Sequence, residues 1–182
     1  INIDLDTLMP KPGLAESWSN SDRHKLVLNL RKGIKFHDGT PLDAEAVRFN
    51  LERARTDERS RVKIDLVFVK SIEVTGEYQV TLNLSEPDIV LLAVLADRPG
   101  MISSPKAIKE LGERYDRASV GTGPWKLESW RDAEKLVYTR HEAYWGKAPA
   151  LDGLEISVIP EVNTGLRTLI AKQNDFIFQI AP

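Results

Sequence analysis

The longest uninterrupted apolar stretch of this sequence is only eight residues long, Ile89–Ala96. A helix that crosses a bilayer needs about 20 predominantly apolar residues, so the sequence predicts no membrane-spanning helix. Ten prolines and eleven glycines are spread along the 182 residues, and turns must therefore separate many short helices and strands. With 42% hydrophobic and 29% charged residues, the chain has the composition of a folded globular protein rather than a disordered one.

The balance of charge argues against nucleic acid as a partner. The 25 basic and 27 acidic residues give a formal net charge of -2, whereas nucleic-acid-binding domains usually carry a clear basic excess. Cysteine is absent, which excludes disulfides, thiolate metal sites and cysteine nucleophiles. The three histidines, His24, His37 and His141, have none of the spacings typical of a metal site. The sequence therefore predicts neither a metal nor a cofactor.

The segment Gly121-Thr122-Gly123 could be mistaken for a phosphate-binding loop. A dinucleotide fingerprint needs a third glycine at position 126 and a helix that begins there, but that position is Lys126, and Pro124 precedes a predicted strand. The segment is therefore interpreted as a tight backbone turn. No Gly-x-Ser-x-Gly nucleophile motif is present. A catalytic triad can be dispersed in sequence, so a hydrolase stays open as an alternative.

Local patterns predict strands and helices mixed along the chain. Alternating apolar residues predict a strand over Lys25–Arg31. Asp43 predicts the N-cap of a helix with Glu45 in its first turn, and Ser104 followed by Pro105 predicts a second helix start. The fold class is therefore α/β, of a mixed kind with α+β character.

The remaining segments predict further hairpins and helices. One hairpin is expected over residues 66–84, with Gly76-Glu77 as its turn, and another over residues 125–140. Ile89–Ala96 is expected to form a short, mostly buried helix. The expected order ends with a strand over Leu154–Ile159, a helix from Pro160 and a strand over Phe176–Ile180.

Three phrases, in this order, carry a resemblance to a known family. They are GLAESW at residues 13–18 with LNLRKGIKFHDGTPL at residues 28–42, VGTGPWKL at residues 120–127, and RHEAYWG at residues 140–146. Together they closely resemble the family 5 extracellular solute-binding proteins of ABC importers, which include dipeptide-, oligopeptide- and nickel-binding proteins. The likeness extends from about Pro12 to Asp175 and so covers nearly the whole chain.

The resemblance implies a fragment of one lobe of a periplasmic-binding-protein type II fold, with mixed sheets and hairpins. It implies that residues 1–120 form an accessory domain of the N-terminal lobe, and that residues 121–182 begin the domain that forms one wall of the ligand cleft. Because family members are much longer, it also implies that the C-terminal lobe and a segment before Ile1 are missing from this sequence.

The last predicted helix departs from the family pattern. Relatives usually end this helix with glycine, an acidic residue, an apolar residue and aspartate, whereas Lys172 stands at the glycine position here and Asp175 matches. Gly165 lies inside the same helix, where glycine costs up to about 1 kcal/mol relative to alanine. The helix is therefore expected to be less regular than in relatives.

Three arginines are the candidate ligand-binding residues. Arg98 follows the apolar stretch, in a loop whose counterparts in relatives are expected to approach the ligand cleft, and its guanidinium could hold a ligand carboxylate through two parallel hydrogen bonds. Arg59 and Arg61 are further candidates on the same reasoning. The alternative for Arg98 is a local salt bridge to Asp97 or a nearby glutamate. For Arg59 and Arg61 the alternative is a solvated helix end of mixed charge.

The resemblance implies a ligand-binding component of an ABC transporter that captures peptides or similar small solutes outside the inner membrane and delivers them to the permease. The expected partners are that ligand and the permease subunits, through which alone the protein meets the membrane. The expected location is the periplasm, or an exported, lipid-anchored state in a Gram-positive source. The resemblance implies binding without catalysis. A nickel-chelate or other solute carrier, a hydrolase with a dispersed site, and a peptide-sensing or chaperone-like module are the alternatives.

Overall fold

A computed structural model describes residues 1–177 of the chain, in two compact units: residues 1–122, and a second unit that begins at Gly123. The strands are β1 (Asn2–Ile3), β2 (Pro10–Lys11), β3 (Ala15–Ser19), β4 (Lys25–Leu30), β5 (Val69–Gly76), β6 (Gln79–Leu84), β7 (Trp125–Arg131), β8 (Lys135–Arg140) and β9 (Gly153–Ser157). The α-helices are α1 (Ala44–Thr56), α2 (Leu91–Val94), α3 (Pro105–Leu111) and α4 (Val162–Ile170). Short 3-10 helices span Lys63–Leu66, Arg98–Gly100 and Gly112–Arg117.

The mixed α/β class is confirmed, and the strand pairs within residues 1–177 are antiparallel. The first unit contains a four-stranded sheet in the order β3-β4-β6-β5 together with the small β1–β2 pair. The expected alternation in β4 is present, because its three leucines at positions 26, 28 and 30 are all buried. Opposite them, Val80 and Leu82 of β6 are fully buried. None of the described helices is both long and apolar enough to cross a membrane.

Helix α1 begins where the sequence predicts and covers this sheet. The Asp43 carboxylate accepts a hydrogen bond of 2.8 Å from the backbone N–H of Ala46, which satisfies one of the free donors of the first turn. Val47 and Leu51, one turn apart, are buried, and the helix contacts β5 and β6. Burial of one such side chain contributes about 1.5–3 kcal/mol, so packing on the sheet, rather than helix propensity, stabilises α1.

The expected helix over Ile89–Ala96 is much shorter than the sequence predicts. Only Leu91–Val94 is helical, because the Asp88 carboxylate accepts a hydrogen bond from the N–H of Val90 and holds the preceding residues in a turn. Ile89 is 96% exposed, so the expectation of a mostly buried segment is wrong at its start. Leu91 and Leu95 are the residues of this segment that reach the core.

The first hairpin is displaced from its predicted position. The segment Lys63–Leu66 forms a 3-10 helix, so strand β5 begins at Val69 instead of residue 66. The register shifts between Val74 and Gly76, which keeps Gly76 in the strand and moves the two-residue turn to Glu77-Tyr78. One extra residue in a strand is a β-bulge, and a bulge of this kind cannot be read from alternation alone.

The second unit contains the predicted antiparallel pair, extended by a third strand in the order β7-β8-β9. Strand β9 begins at Gly153, where a Cβ would lie 2.8 Å from the carbonyl oxygen of Tyr138. The helix predicted from Pro160 begins at Val162, since the Glu161 carboxylate caps it by accepting from the N–H groups of Asn163 and Thr164. In the predicted final strand, residues 176–177 have no regular structure, and residues 178–180 lie outside the described residues.

The backbone at the end of α4 shows why relatives usually have glycine at the position that Lys172 occupies here. The N–H of Gln173 donates to the carbonyl of Thr168, and the N–H of Lys172 donates to the carbonyl of Leu169, which together make a Schellman motif. This motif requires a left-handed residue, and Lys172 occupies it with a φ of 55°. Glycine adopts that conformation without a steric penalty, whereas lysine does not. The helix itself is regular over nine residues despite Gly165.

Replacing Lys172 with glycine is expected to stabilise the chain. Removing the Cβ at φ 55° relieves about 1 kcal/mol of backbone strain, offset in part by the greater entropy of glycine in the unfolded chain. Urea denaturation should show a higher midpoint for Lys172→Gly, with Lys147→Gly, at an exposed residue without regular structure, as the control. A midpoint at or below that of the parent would contradict the Schellman assignment.

Candidate functional site

A polar cavity of about 270 Å³ in the first unit is the candidate site. It lies between the second half of α1, the segment that follows this helix, the 3-10 turn at Arg98–Gly100 and the start of the 3-10 helix at residues 112–117. Its charged lining residues are Arg53, Asp57, Arg59, Arg98, Glu113 and Asp116. Three cations and three anions therefore face one cavity, and its formal charge is balanced.

The turn that carries Arg98 is held rigidly. Pro99 is buried, and the N–H of Gly100 donates to the carbonyl of Asp97 at 3.0 Å. Gly100 passes so close to α2 that a Cβ there would lie 1.8 Å from the carbonyl oxygen of Leu95. The Arg98 side chain is exposed and makes no ion pair or hydrogen bond within residues 1–177. A salt bridge to Asp97, the alternative from the sequence, is not formed.

Arg59 lines the same cavity but has a partner. Its backbone N–H donates to the Asp57 carboxylate at 2.9 Å, and its guanidinium lies 3.5 Å from the same oxygen. Arg53 approaches the other Asp57 oxygen at 3.9 Å. The backbone hydrogen bond from Arg59, and next its guanidinium, lower the pKa of Asp57. Arg59 is therefore part of a local cluster of charges with Arg53 and Asp57, which is the arrangement of the alternative stated for it from the sequence. It also lines the cavity.

Arg61 lies apart from the other two candidates. It lines a different cavity of the first unit, together with Lys63 and four apolar residues. Ser60 lines both cavities, and its hydroxyl donates to the carbonyl of Ala54 at 2.5 Å. The three arginines stay predictions as ligand-binding residues, but their placement distinguishes them: Arg59 and Arg98 share one cavity, and Arg61 does not.

The two halves of the candidate site are joined by Asn50. Its side-chain amide donates to the carbonyls of Ala46 and Ser103, both at 2.8 Å, and its oxygen accepts from the N–H of Ser103 at 3.0 Å. Asn50 is buried and Ser103 is half-buried, so these bonds are partly shielded from water and costly to lose. The link fixes α1 against the chain that leads from Arg98 to α3.

Sequence reasoning missed several lining residues. Arg53, on α1, and Asp57, the C-cap residue at which this helix ends, are four residues apart and therefore lie on the same side, a spacing that could have identified them. Glu113 and Asp116 gave no such signal, because only the folded chain brings residues 112–117 to this cavity.

The HDG and VGTG phrases meet within the first unit. The N–H of His37 donates to the carbonyl of Gly121 at 2.8 Å, and the N–H of Gly121 approaches Nδ1 of His37 at 3.3 Å. The hydroxyl of Ser104, fully buried, donates to the Asp38 carboxylate at 2.6 Å. These phrases therefore hold loops together, which agrees with the structural role that their turn residues indicated.

Hydrogen bonds determine the ionisation of Asp38. Partial burial of its carboxylate raises the pKa, but hydrogen bonds from the Ser104 hydroxyl and from the side chain and N–H of Thr40 outweigh this effect. The pKa of Asp38 is therefore lowered from its ordinary value. A lowered pKa in the folded state means that the carboxylate stabilises the fold above the unfolded pKa of about 3.9.

We expect this contribution to disappear in acid. Asp38→Asn should be less stable than the parent at neutral pH, and the difference in free energy of unfolding should shrink as the pH falls through about 4 and below. Thr40→Val, which removes one donor, should show part of the same effect. Urea denaturation at a series of pH values measures both differences. A difference for Asp38→Asn that is constant from pH 7 to pH 3 would contradict this account.

Among the described residues, no group of three or more His, Asp or Glu side chains is arranged to hold a metal ion. The chemistry available in the cavity is therefore charge recognition: guanidinium groups for anions, and carboxylates for cations.

Comparison with known proteins places these observations in a family. The sequence pattern of the bacterial extracellular solute-binding proteins, family 5 (middle part), matches residues 9–182. The glutathione-binding protein GsiB of Salmonella paratyphi A is 30% identical over 181 residues, which cover 98% of this chain and 35% of that protein. The chain therefore spans about a third of the length of such relatives.

Solved structures of similar proteins also match this chain in fold. NikA from Brucella suis, in complex with Fe(III)-EDTA, is 34% identical with a TM-score of 0.83, over 93% of this chain and 35% of that one. An ABC transporter substrate-binding protein from Sinorhizobium meliloti is 34% identical with a TM-score of 0.79, over 89% of this chain and 33% of that one. The expected resemblance is thus confirmed across nearly the whole sequence, and the chain belongs to the family 5 bacterial extracellular solute-binding proteins.

Proposed function

We propose that the chain is part of the ligand-binding component of an ABC importer, which captures peptides or similar small solutes and delivers them to permease subunits. Family membership over residues 9–182 is the observation that carries this proposal. In it, residues 1–120 act as an accessory domain and residues 121–182 begin one wall of a cleft. A larger second lobe completes the cleft, since relatives are about three times as long. The proposed location is the periplasm or, in a Gram-positive source, the outer face of the membrane.

The proposed mechanism is binding without catalysis. Ligand enters an open cleft, and the closed state is selected because it makes the better contacts. In this proposal the arginines and carboxylates of the candidate cavity bind the solute, whereas the hydrolase alternative would need a nucleophile and a base within hydrogen-bond reach of each other.

The proposed ligand class is a small zwitterion, and Arg98 is its proposed carboxylate-binding residue. Arg98 faces the cavity without a partner within residues 1–177, and so do the carboxylates of Glu113 and Asp116. A free peptide carries a carboxylate and an ammonium group, which match these two kinds of side chain. The relatives are consistent with this class, because glutathione is a peptide and EDTA bears carboxylates. A nickel-chelate carrier is the second candidate, since the metal arrives on an anionic chelator.

Arg98→Ala is expected to weaken ligand binding by about 10- to 100-fold, because hydrogen bonds to a charged group contribute about 1.5–3 kcal/mol. Arg98→Lys should restore part of the affinity, since lysine keeps the charge but loses the planar fork. The ligand is first identified by mass spectrometry of the protein purified with both lobes, and calorimetry then gives the affinities.

Arg23→Ala is the matched control, because Arg23 is exposed and lines none of the cavities described above. An unchanged dissociation constant for Arg98→Ala would remove Arg98 from the site while leaving the transport proposal in place. Recovery of no solute, together with hydrolysis of an added peptide, would instead favour the enzyme alternative.

A further inference from the structure

The first unit contains a second, larger cavity of about 510 Å³ whose lining differs in chemistry from the candidate site. Its lining residues are Arg55, Ser60, Arg61, Lys63, Ile64, Leu66, Val67 and Val69. Four of the eight are aliphatic and three are cationic, and none is acidic. This cavity is called the cationic pocket below.

The charge of the cationic pocket is only partly neutralised. Arg55 is paired with Glu52 at 2.6 Å, three residues earlier on α1. Arg61 and Lys63, which are both exposed, make no ion pair within the part of the chain that the structure describes. Two uncompensated cations at one rim attract an anion, and a carboxylate can form charge-assisted hydrogen bonds to both.

The apolar part of the pocket has a buried floor and exposed walls. Leu66 and Val69 are 1% and 4% exposed, whereas Ile64 and Val67 are 73% and 59% exposed. The 3-10 helix at Lys63–Leu66 causes this arrangement, because its tight turn directs Leu66 into the core and leaves Ile64 at the surface. Covering exposed aliphatic surface is favourable, so an apolar group in this pocket gains contacts that water cannot supply.

From this combination we propose that the cationic pocket binds amphiphilic monoanions, in which a linear hydrocarbon chain ends in a carboxylate. The carboxylate lies at Arg61 and Lys63, and the hydrocarbon chain lies along Ile64, Val67 and the floor. This site is distinct from the proposed zwitterion site, which is lined by charges of both signs and shares only Ser60 with it. All of its lining residues lie within residues 55–69, and its proposed ligand is additional to the proposed transported solute.

Octanoate is the probe that tests the proposal. Calorimetric titration of the protein purified with both lobes should show saturable binding at a ratio of one to one. Octan-1-ol lacks the charge and acetate lacks the hydrocarbon chain, and each should bind at least about tenfold more weakly. Absence of saturable octanoate binding, or equal affinity for octanol, would overturn the proposal.

Two variants separate this pocket from adventitious surface binding. The double variant Arg61→Gln/Lys63→Gln and the single variant Val67→Asn should each lower octanoate affinity at least about tenfold. All three positions are exposed, so the fold should persist, and circular dichroism and the melting temperature verify it. Lys70→Gln is the matched control, because Lys70 is an exposed lysine next to the pocket that does not line it. Octanoate affinity that falls as much with Lys70→Gln as with the double variant would assign the binding to general positive charge and overturn the proposal.

Discussion

Gly100→Ala is expected to lower the free energy of unfolding by about 2–3 kcal/mol, the upper range for inserting a methyl group where no space exists. The added Cβ would lie 1.8 Å from the carbonyl oxygen and 2.6 Å from the carbonyl carbon of Leu95. A flexible side chain could move away, but these are backbone atoms. Leu95 is itself buried at 4% exposure, so moving its carbonyl disturbs the core as well.

Urea denaturation measures the effect, and Gly123→Ala is the matched control because a Cβ at Gly123 meets no atom within 4 Å. The same change should weaken ligand binding, since the displaced turn carries Arg98. A free energy of unfolding for Gly100→Ala within about 0.5 kcal/mol of the parent, the usual range for neutral surface substitutions, would show that the contact between this turn and α2 is not as close as described.

Asn50→Leu is the second change with a large expected effect, a loss of about 2–4 kcal/mol. Leucine has the same number and branching of side-chain heavy atoms as asparagine, but it leaves the N–H and the carbonyl of Ser103 without their partner. Backbone groups that lose their hydrogen bond away from water cost about 1–3 kcal/mol each; Asn50 is only 6% exposed, and Ser103 is half-buried. The released carbonyl of Ala46 adds little, because it belongs to α1, whose backbone hydrogen bonds remain.

The control for this change is Asn83→Leu. The Asn83 amide also makes two hydrogen bonds, to the side chains of Ser71 and Glu73, but Asn83 is half-buried and those partners can turn to water. Its replacement should therefore cost no more than about 1 kcal/mol. Thermal and urea denaturation measure both variants. Equal losses in free energy of unfolding would mean that the hydrogen bonds between Asn50 and Ser103 stabilise the fold no more than those of a half-buried asparagine.

The features that the sequence predicts well are those determined by neighbouring residues. The caps at Asp43 and Ser104 act on backbone groups within three residues, so a local pattern contains the necessary information. The buried face of β4 follows from alternation in the same way. Local patterns also indicated the mixed α/β class, and the family resemblance added the periplasmic-binding-protein type II lobe.

What the sequence did not predict depends on contacts between distant residues. The bond from Asn50 to Ser103 spans 53 positions, and it brings the residues around Arg59 into the same cavity as Arg98. No periodicity reports such a contact. The exposure of Ile89 has a similar origin, because the turn made by Asp88 opposes the helix that the apolar run favours. The separation of Arg61 from Arg59 was equally hidden from the sequence: the two residues are two positions apart, but they line different cavities.

The balanced lining of the candidate site has a kinetic consequence. Ions in solution screen long-range attraction, so a cavity with a large net charge captures its ligand more slowly as the salt concentration rises. Here three arginines face three carboxylates, and the whole chain carries only -2, so a zwitterionic solute experiences little attraction until it makes contact. On the proposed function, the rate of solute capture is therefore expected to change little with salt concentration.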